Sequence, residues 1–323
     1  MDELDLRLLD DFQRDLPLIP RPFAAMARQL RTSEAEVIAR LRRLREAGRI
    51  ARVGATCRPN TAAASTLAAL QVPPQRIDDV AARVNAESGV NHSYLREDDW
   101  NLWFVATAPD AGRLAESLAR IEAATCLSVL SLPLVRAFNI DLGFPLRGPR
   151  RSMALALPTD LGAMRPGDAG LMQALSSGLA LEPAPFATLA RDQNRSEAEV
   201  LSRIAALVRA RLLTRVGVIV KHRALGWREN AMVVWQLPEA AIPAAGGALA
   251  AVPGVTLCYQ RRQVPGVWDW PLFCMIHART RPEAMAVLDL ARALPELAGV
   301  PHRILFSTRC FRQRGATITE VAA

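Results

Sequence analysis

His92, Tyr94 and Arg96 fall on alternate positions of the stretch Val90–Arg96. On a strand, alternate side chains share one face, so these three line up. The row offers an imidazole that can hand over a proton or ligate a metal, then a phenol, then a guanidinium fork. At ~3.3 Å per residue it spans ~13 Å. A second stretch, Val255–Arg261, repeats the phenol and the guanidinium as Tyr259 and Arg261, with Arg262 next in line, but has Leu257 in place of His92. His277 closes a third strand-like run whose earlier counterpart ends at Thr107. Only four histidines exist. His92 and His277 are the candidate proton donors, because imidazole is the side chain that titrates near neutrality. His302 follows Pro301 at a strand start and reads as structural. Lys221, His222 and Arg223 form a further cationic cluster in which the lysine and arginine share a face, suited to carboxylates. A lone strand histidine is more often a hydrogen-bonded structural residue; the shared face of His92 is what argues for chemistry.

The elements that must position these groups come in two copies. Residues 18–54 and 181–217 align without a gap at an offset of 163, with 18 of 37 positions identical. Pro22-Phe23, Ser33-Glu34 and Arg52-Val53-Gly54 face Pro185-Phe186, Ser196-Glu197 and Arg215-Val216-Gly217. Each copy opens with a helix, then a helix that proline can start at its first turn, then a capping-box signature before a third helix. A β-rich stretch follows. Three helices and a short strand pair make a winged helix-turn-helix. Each half then changes period and gives the order β-α-β-β-α-β, the ferredoxin-like split unit. The expected fold is therefore α+β, a tandem duplication. Winged helices are expected at 1–60 and 167–225, ferredoxin-like units at 61–145 and 226–323, and a linker at 146–166. An antiparallel sheet with helices on one face leaves its other face for a partner or a ligand.

Composition excludes several classes. The 323 residues are 50% hydrophobic and 22% charged, ordinary for a packed protein and wrong for a disordered one. No run of 18 apolar residues occurs, so no membrane span is expected. The acidic start, Met1-Asp2-Glu3-Leu4-Asp5, is unlike a targeting peptide. Five cysteines with no CxxC pair argue against a disulfide frame or a zinc finger and fit the cytoplasm. The net charge of +8 rests almost wholly on arginine, since Lys221 is the sole lysine. That surplus favours an anionic partner, nucleic acid or a small polyanion.

A winged helix followed by this α+β unit resembles the Lrp/AsnC regulators over nearly the whole chain, twice. The finer motifs resemble something narrower. Arg58-Pro59-Asn60-Thr61, Asn91-His92-Ser93-Tyr94-Leu95-Arg96 and Asn101-Leu102-Trp103-Phe104 lie in the first half. Lys221-His222-Arg223-Ala224-Leu225-Gly226, Cys258-Tyr259-Gln260-Arg261-Arg262 and Trp270-Pro271-Leu272-Phe273 lie in the second. Together they are similar to the sirohaem decarboxylases of the fused NirD–NirL type, with a NirD-like first half and a NirL-like second. Residues 260–269 depart from that family's proline-rich tryptophan segment.

The resemblance implies removal of CO2 from the C12 and C18 acetates of sirohaem, giving 12,18-didecarboxysirohaem for haem d1. It implies no required cofactor, since acetate to methyl plus CO2 is redox-neutral and the iron belongs to the substrate. In that setting His92 and His277 are the candidate catalytic residues, with His92 the candidate iron ligand. Tyr94, Arg96, Lys221, His222, Arg223, Tyr259, Arg261 and Arg262 would hold substrate. Sirohaem and its products are the expected partners; NirG/NirH-type partner proteins and a homo-oligomer stay open. The two half-sites, diverged at their histidines, are not equivalent. The rival readings are a DNA-binding regulator and a non-catalytic haem-binding sensor. Arg40, Arg42, Arg43 and Arg45 on the third helix would suit phosphate contact. The second copy, with Arg203-Ile204-Ala205-Ala206-Leu207-Val208, has not kept that basic face, which makes DNA the weaker reading.

Overall fold

The computed structural model describes residues 1–140, 143, 144, 146 and 159–319. The first half runs α1 (Glu3–Asp11), α2 (Pro22–Leu30), α3 (Glu34–Glu46), β1 (Ile50–Cys57), β2 (Ala64–Leu70), α4 (Ile77–Ala86), β3 (Val90–Arg96), β4 (Leu102–Ala108), α5 (Ala111–Thr125) and β5 (Leu130–Ile140). The second repeats it as α6 (Asp168–Ser177), α7 (Pro185–Asp192), α8 (Glu197–Arg209), β6 (Leu213–Val220), β7 (Glu229–Trp235), α9 (Ile242–Ala251), β8 (Val255–Arg261), β9 (Leu272–Ala278), α10 (Arg281–Arg292) and β10 (His302–Gln313). Of the expected linker, residues 147–158 lie outside the described residues. Contacts gather the described chain into two units, one of residues 1–62, 143, 144, 146 and 159–225, the other of 63–140 and 226–319.

The first unit holds both winged helices. Pro22 and Pro185 sit in the first turns of α2 and α7. Ser33 caps α3 by accepting from Glu36 N at 3.1 Å, and Ser196 caps α8 by accepting from Glu199 N at 3.3 Å. Only the second cap is reciprocal, with Ser196 N donating to Glu199 at 2.9 Å; in the first, Glu36 takes Arg40 Nε instead, at 2.5 Å. Among the described residues neither wing has a strand pair of its own. Each half supplies one strand, and β1 runs antiparallel to β6 with Gly54 opposite Gly217. A Cβ on Gly54 would lie 2.3 Å from Leu175 O at the end of α6, and one on Gly217 2.5 Å from Phe12 O just past α1. Each first helix thus packs against the other half's wing strand. That close approach is the reason the repeated Arg-Val-Gly motif ends in glycine.

The second unit is a closed eight-stranded antiparallel barrel in the order β10-β3-β4-β2-β5-β8-β9-β7. Two strands do the closing. β5 pairs with β2 over 130–133 and then with β8 over 134–140. β10 pairs with β7 over 302–306 and then with β3 over 307–313. The sheet faces expected to stay free therefore close on each other within the chain. Helices α4 and α5 cover one sheet over Val80, Val84, Leu102, Phe104 and Ile121, and α9 and α10 cover the other over Ile242, Leu249, Val233 and Ile276. The alternate residues Trp103, Met232, Val234, Phe273 and Met275 point to the barrel interior. With both faces buried, β7 and β9 read as continuous apolar runs rather than as alternation.

Candidate functional site

Two β-bulges set the aim of the site. Register shifts fall between Val90 and His92 on β3 and between Val255 and Leu257 on β8. Each leaves one extra residue, Asn91 or Thr256, and re-aims the side chains after it. Beyond the first bulge Ser93 donates to Asn85 of α4 at 2.8 Å, which places Ser93 on the helix side. His92, Tyr94 and Arg96 consequently take the interior face. Beyond the second, Cys258 belongs to the helix-side core, while Leu257 and Tyr259 belong to the interior cluster and Arg261 shares their face.

Arg96 is 6% exposed and reaches across the duplication. Its Nη1 donates to Leu305 O at 3.0 Å and its Nη2 to Asn230 Oδ1 at 3.1 Å. The guanidinium lies 5.6 Å from the Tyr94 ring centre. Arg261 mirrors it from the other half: Nη1 donates to Leu132 O at 2.7 Å, and the fork sits 4.6 Å from the Tyr259 ring centre. Both Nε atoms are sealed from solvent without a hydrogen-bond partner. Burial lowers the pKa of both, Arg96 to about 10, and among the described residues no carboxylate is one of the charges acting on either. A buried charge without a counter-ion costs several kcal/mol. Two of them facing one interior amount to a built-in demand for an anion.

His277 is buried and its ring is held at both ends. Nε2 meets Asn230 Nδ2 at 2.9 Å and Nδ1 meets Thr256 Oγ1 at 2.7 Å. The first half differs at this point: Asn91 Nδ2 donates to Thr107 Oγ1 at 2.7 Å where Thr256 and His277 stand in the second. His92 is half-buried, in register with Val105 and Gln313. Arg262 is exposed, just past β8. Lys221, His222 and Arg223 belong to the winged-helix unit. There the His222 ring stacks on Phe144 at 4.8 Å, and Lys221 N donates to Arg49 O at 2.8 Å. His302 packs at 4.9 Å on Trp235. Burial pushes the Cys274 thiol up to about 12 and raises Cys258 as well, so both pack as small apolar groups.

Three participants were given no role by the sequence. Asn230 is the second residue of β7, after Glu229 and just before an apolar run; an amide at the mouth of such a run is the signal that could have found it. Thr256 is visible only through its bulge. Trp268, fully buried, meets Trp103 edge-on at 5.1 Å, carried inward by the tight turn at Val264–Trp268, where Gly266 holds φ at +74°.

This fold and site define a class: an AsnC-type ligand-binding unit duplicated within one chain, closed into a barrel with a buried cationic interior. Residues 5–50 match the model of the siroheme decarboxylase NirDL-like HTH domain, and residues 62–139 and 224–312 that of the AsnC-like ligand binding domain. The chain is 77% identical to the siroheme decarboxylase NirDL subunit of Paracoccus denitrificans, covering 100% of this chain and 99% of that protein. It belongs to the sirohaem decarboxylase family. It is also 50% identical to the NirD subunit of Stutzerimonas stutzeri, over 46% of this chain and 98% of that subunit. Among solved structures it is similar to the siroheme decarboxylase NirDL crystallised with an iron-uroporphyrin III analogue, at 25% identity and a TM-score of 0.66, covering 98% of this chain and 94% of that one.

Proposed function

We propose that the chain decarboxylates sirohaem at its C12 and C18 acetates, with Arg96 and Arg261 holding substrate carboxylates and His92 supplying a proton or ligating the iron. The observation that carries this reading is the pair of interior-facing guanidiniums, Arg96 buried and Arg261 half-buried with its Nε sealed, without a carboxylate partner among the described residues. Sirohaem carries eight carboxylates, and charge-assisted forks match them in sign and in geometry.

The bond between methylene and carboxylate breaks, CO2 leaves, and the electron pair stays on the methylene. At C12 and C18 that methylene adjoins an unsaturated ring, so the charge spreads into the macrocycle. The acetates on the reduced rings lack this outlet. One proton then completes each methyl group, and neither reductant nor nicotinamide enters the balance. The protein's share is to hold the carboxylates, keep water from the reacting one and deliver the proton.

A DNA-binding reading finds little support in the winged helices. Arg40 is tied to Asp2 and Asp5 at 2.7 and 2.9 Å, Arg43 to Asp5 at 3.0 Å, and Arg42 to Leu181 O at 2.7 Å. Arg203 and Asp168 repeat the Arg40–Asp5 pair at the same offset of 163, buried, at 2.5 Å. Arg40, Arg42, Arg43 and Arg203 are thus engaged within the chain. Anaerobic incubation of the purified chain with sirohaem, followed by mass spectrometry, tests the function. Running it with and without NirG/NirH-type proteins shows whether the chain acts alone.

A further inference from the structure

We propose that Asn230 and His277 are positioning residues: a one-directional hydrogen-bond chain from Arg96 through Asn230, His277 and Thr256 fixes His277 as its Nδ1–H tautomer and aims the Arg96 fork. The direction follows from the donor inventory. Arginine only donates, so the Asn230 atom 3.1 Å from Arg96 Nη2 is its oxygen. The Asn230 amide nitrogen is then the atom 2.9 Å from His277 Nε2, and it too donates. Nε2 must therefore carry a lone pair, and neutral His277 keeps its hydrogen on Nδ1. That hydrogen goes to Thr256 Oγ1 at 2.7 Å, and the Thr256 hydroxyl donates to Met275 O at 2.9 Å.

Every link is held by strand pairing. Asn230 and His277 are register partners across β7 and β9, and Thr256 is the bulged residue of β8 beside them. Protonating Nε2 would set its hydrogen against those of the Asn230 amide. Turning that amide round would set the same hydrogens against Arg96. The imidazolium is thus excluded while Arg96 stays anchored, which separates His277 from the acid role and leaves that role to His92. Arg261 faces a different pair: Ser65 and Thr107 stand where Asn230 and His277 do, with neither the amide nor the imidazole. This asymmetry makes Arg96 the more rigidly aimed of the two forks.

The role in catalysis rests on the decarboxylase reading, whereas the tautomer does not. Nitrogen-15 spectra of histidine-labelled protein without substrate read the tautomer directly, with His277 assigned by its loss in His277→Gln. The expected result is a protonated Nδ1 and an unprotonated Nε2 at neutral pH, with the pattern reversed or the ring protonated in Asn230→Asp. An Nε2–H tautomer or an imidazolium in the wild type overturns the proposal. Sirohaem titration and single-turnover rates supply the second readout. His277→Ala and Asn230→Ala should raise Kd about tenfold or more, with the loss falling mainly on Kd, and His277→Gln should recover part of it because its Oε1 can accept from Asn230. Combining either alanine with Arg96→Ala should add little, as expected of residues acting through one another. A saturating rate reduced ~10²-fold with Kd held would make His277 the acid and overturn the positioning role. If the wild type fails to bind sirohaem, the decarboxylase reading fails and the tautomer result stands by itself.

Discussion

Arg96, on a strand of the first half, donates to the main-chain carbonyl of Leu305, on a strand of the second, at 3.0 Å. Arg261 returns the contact, donating to Leu132 O of the first half at 2.7 Å. Each guanidinium therefore sits where the two halves close on one another, and neither half alone would bury it. The duplication does more than double a module: joining the halves creates the cationic interior.

Replacing either arginine with methionine should weaken sirohaem binding ~10–150-fold, the loss of a charge-assisted clamp worth ~1.5–3 kcal/mol. The thermal midpoint of Arg96→Met should stay at or above wild type, because burial of that charge costs on the order of 3 kcal/mol. Titration beside a thermal melt checks both. A variant that melts well below wild type yet binds normally would show the arginine to be structural.

Binding should also fail at a lower pH than arginine chemistry ordinarily sets. Burial holds Arg96 at about 10. Affinity should fall as pH rises through that value, when the fork loses its proton. Stability moves the other way: the folded state gives up this proton more readily than the unfolded chain, so the contribution of Arg96 to stability rises above about pH 10. Titrations from about pH 8 to about pH 11 with wild type and Arg96→Met separate this group from the rest. A wild-type affinity that stays flat across that range contradicts it.

The helices, the strands Val90–Arg96, Val255–Arg261 and Leu272–Ala278, and the shared face of His92, Tyr94 and Arg96 were legible, because local periodicity and the repeat encode them. Which strands pair across the duplication was not. Periodicity says that a face is buried but not what buries it, so the β1–β6 ribbon and the exchanged β5 and β10 escaped notice. Asn230 was given no role for a related reason: its part appears only once Arg96, distant in sequence, lies against it. Lys221–Arg223 was read as a substrate-binding cluster from its charge and its motif; the fold adds that its His222 ring stacks on Phe144, which no local pattern shows.

The central glycine pair gives a stability test. Gly54→Ala or Gly217→Ala should destabilise the winged-helix unit by ~1–3 kcal/mol, because the added carbon meets a main-chain oxygen rather than a movable side chain. Gly247→Ala, inside α9 with open space around its Cβ position, should be neutral or gain up to ~1 kcal/mol. Denaturant melts of the three variants check the contrast. Equal effects at Gly54 and Gly247 would remove the packing argument.

His92→Ala should lower single-turnover decarboxylation ~10²-fold or more, the size expected of a general acid. His302→Ala, whose ring rests on Trp235, should leave turnover near wild type and report only on packing. Similar rates in His92→Ala and wild type would leave the proton to water and the macrocycle.

The most direct measurement is a single turnover of sirohaem in deuterated water, anaerobic and without added reductant, followed by mass spectrometry of the tetrapyrrole. Loss of two CO2, with one deuterium in each new methyl group, is the predicted result, since each carbanion takes a single exchangeable proton. An unchanged mass, or decarboxylation only when a reductant is supplied, would contradict the account.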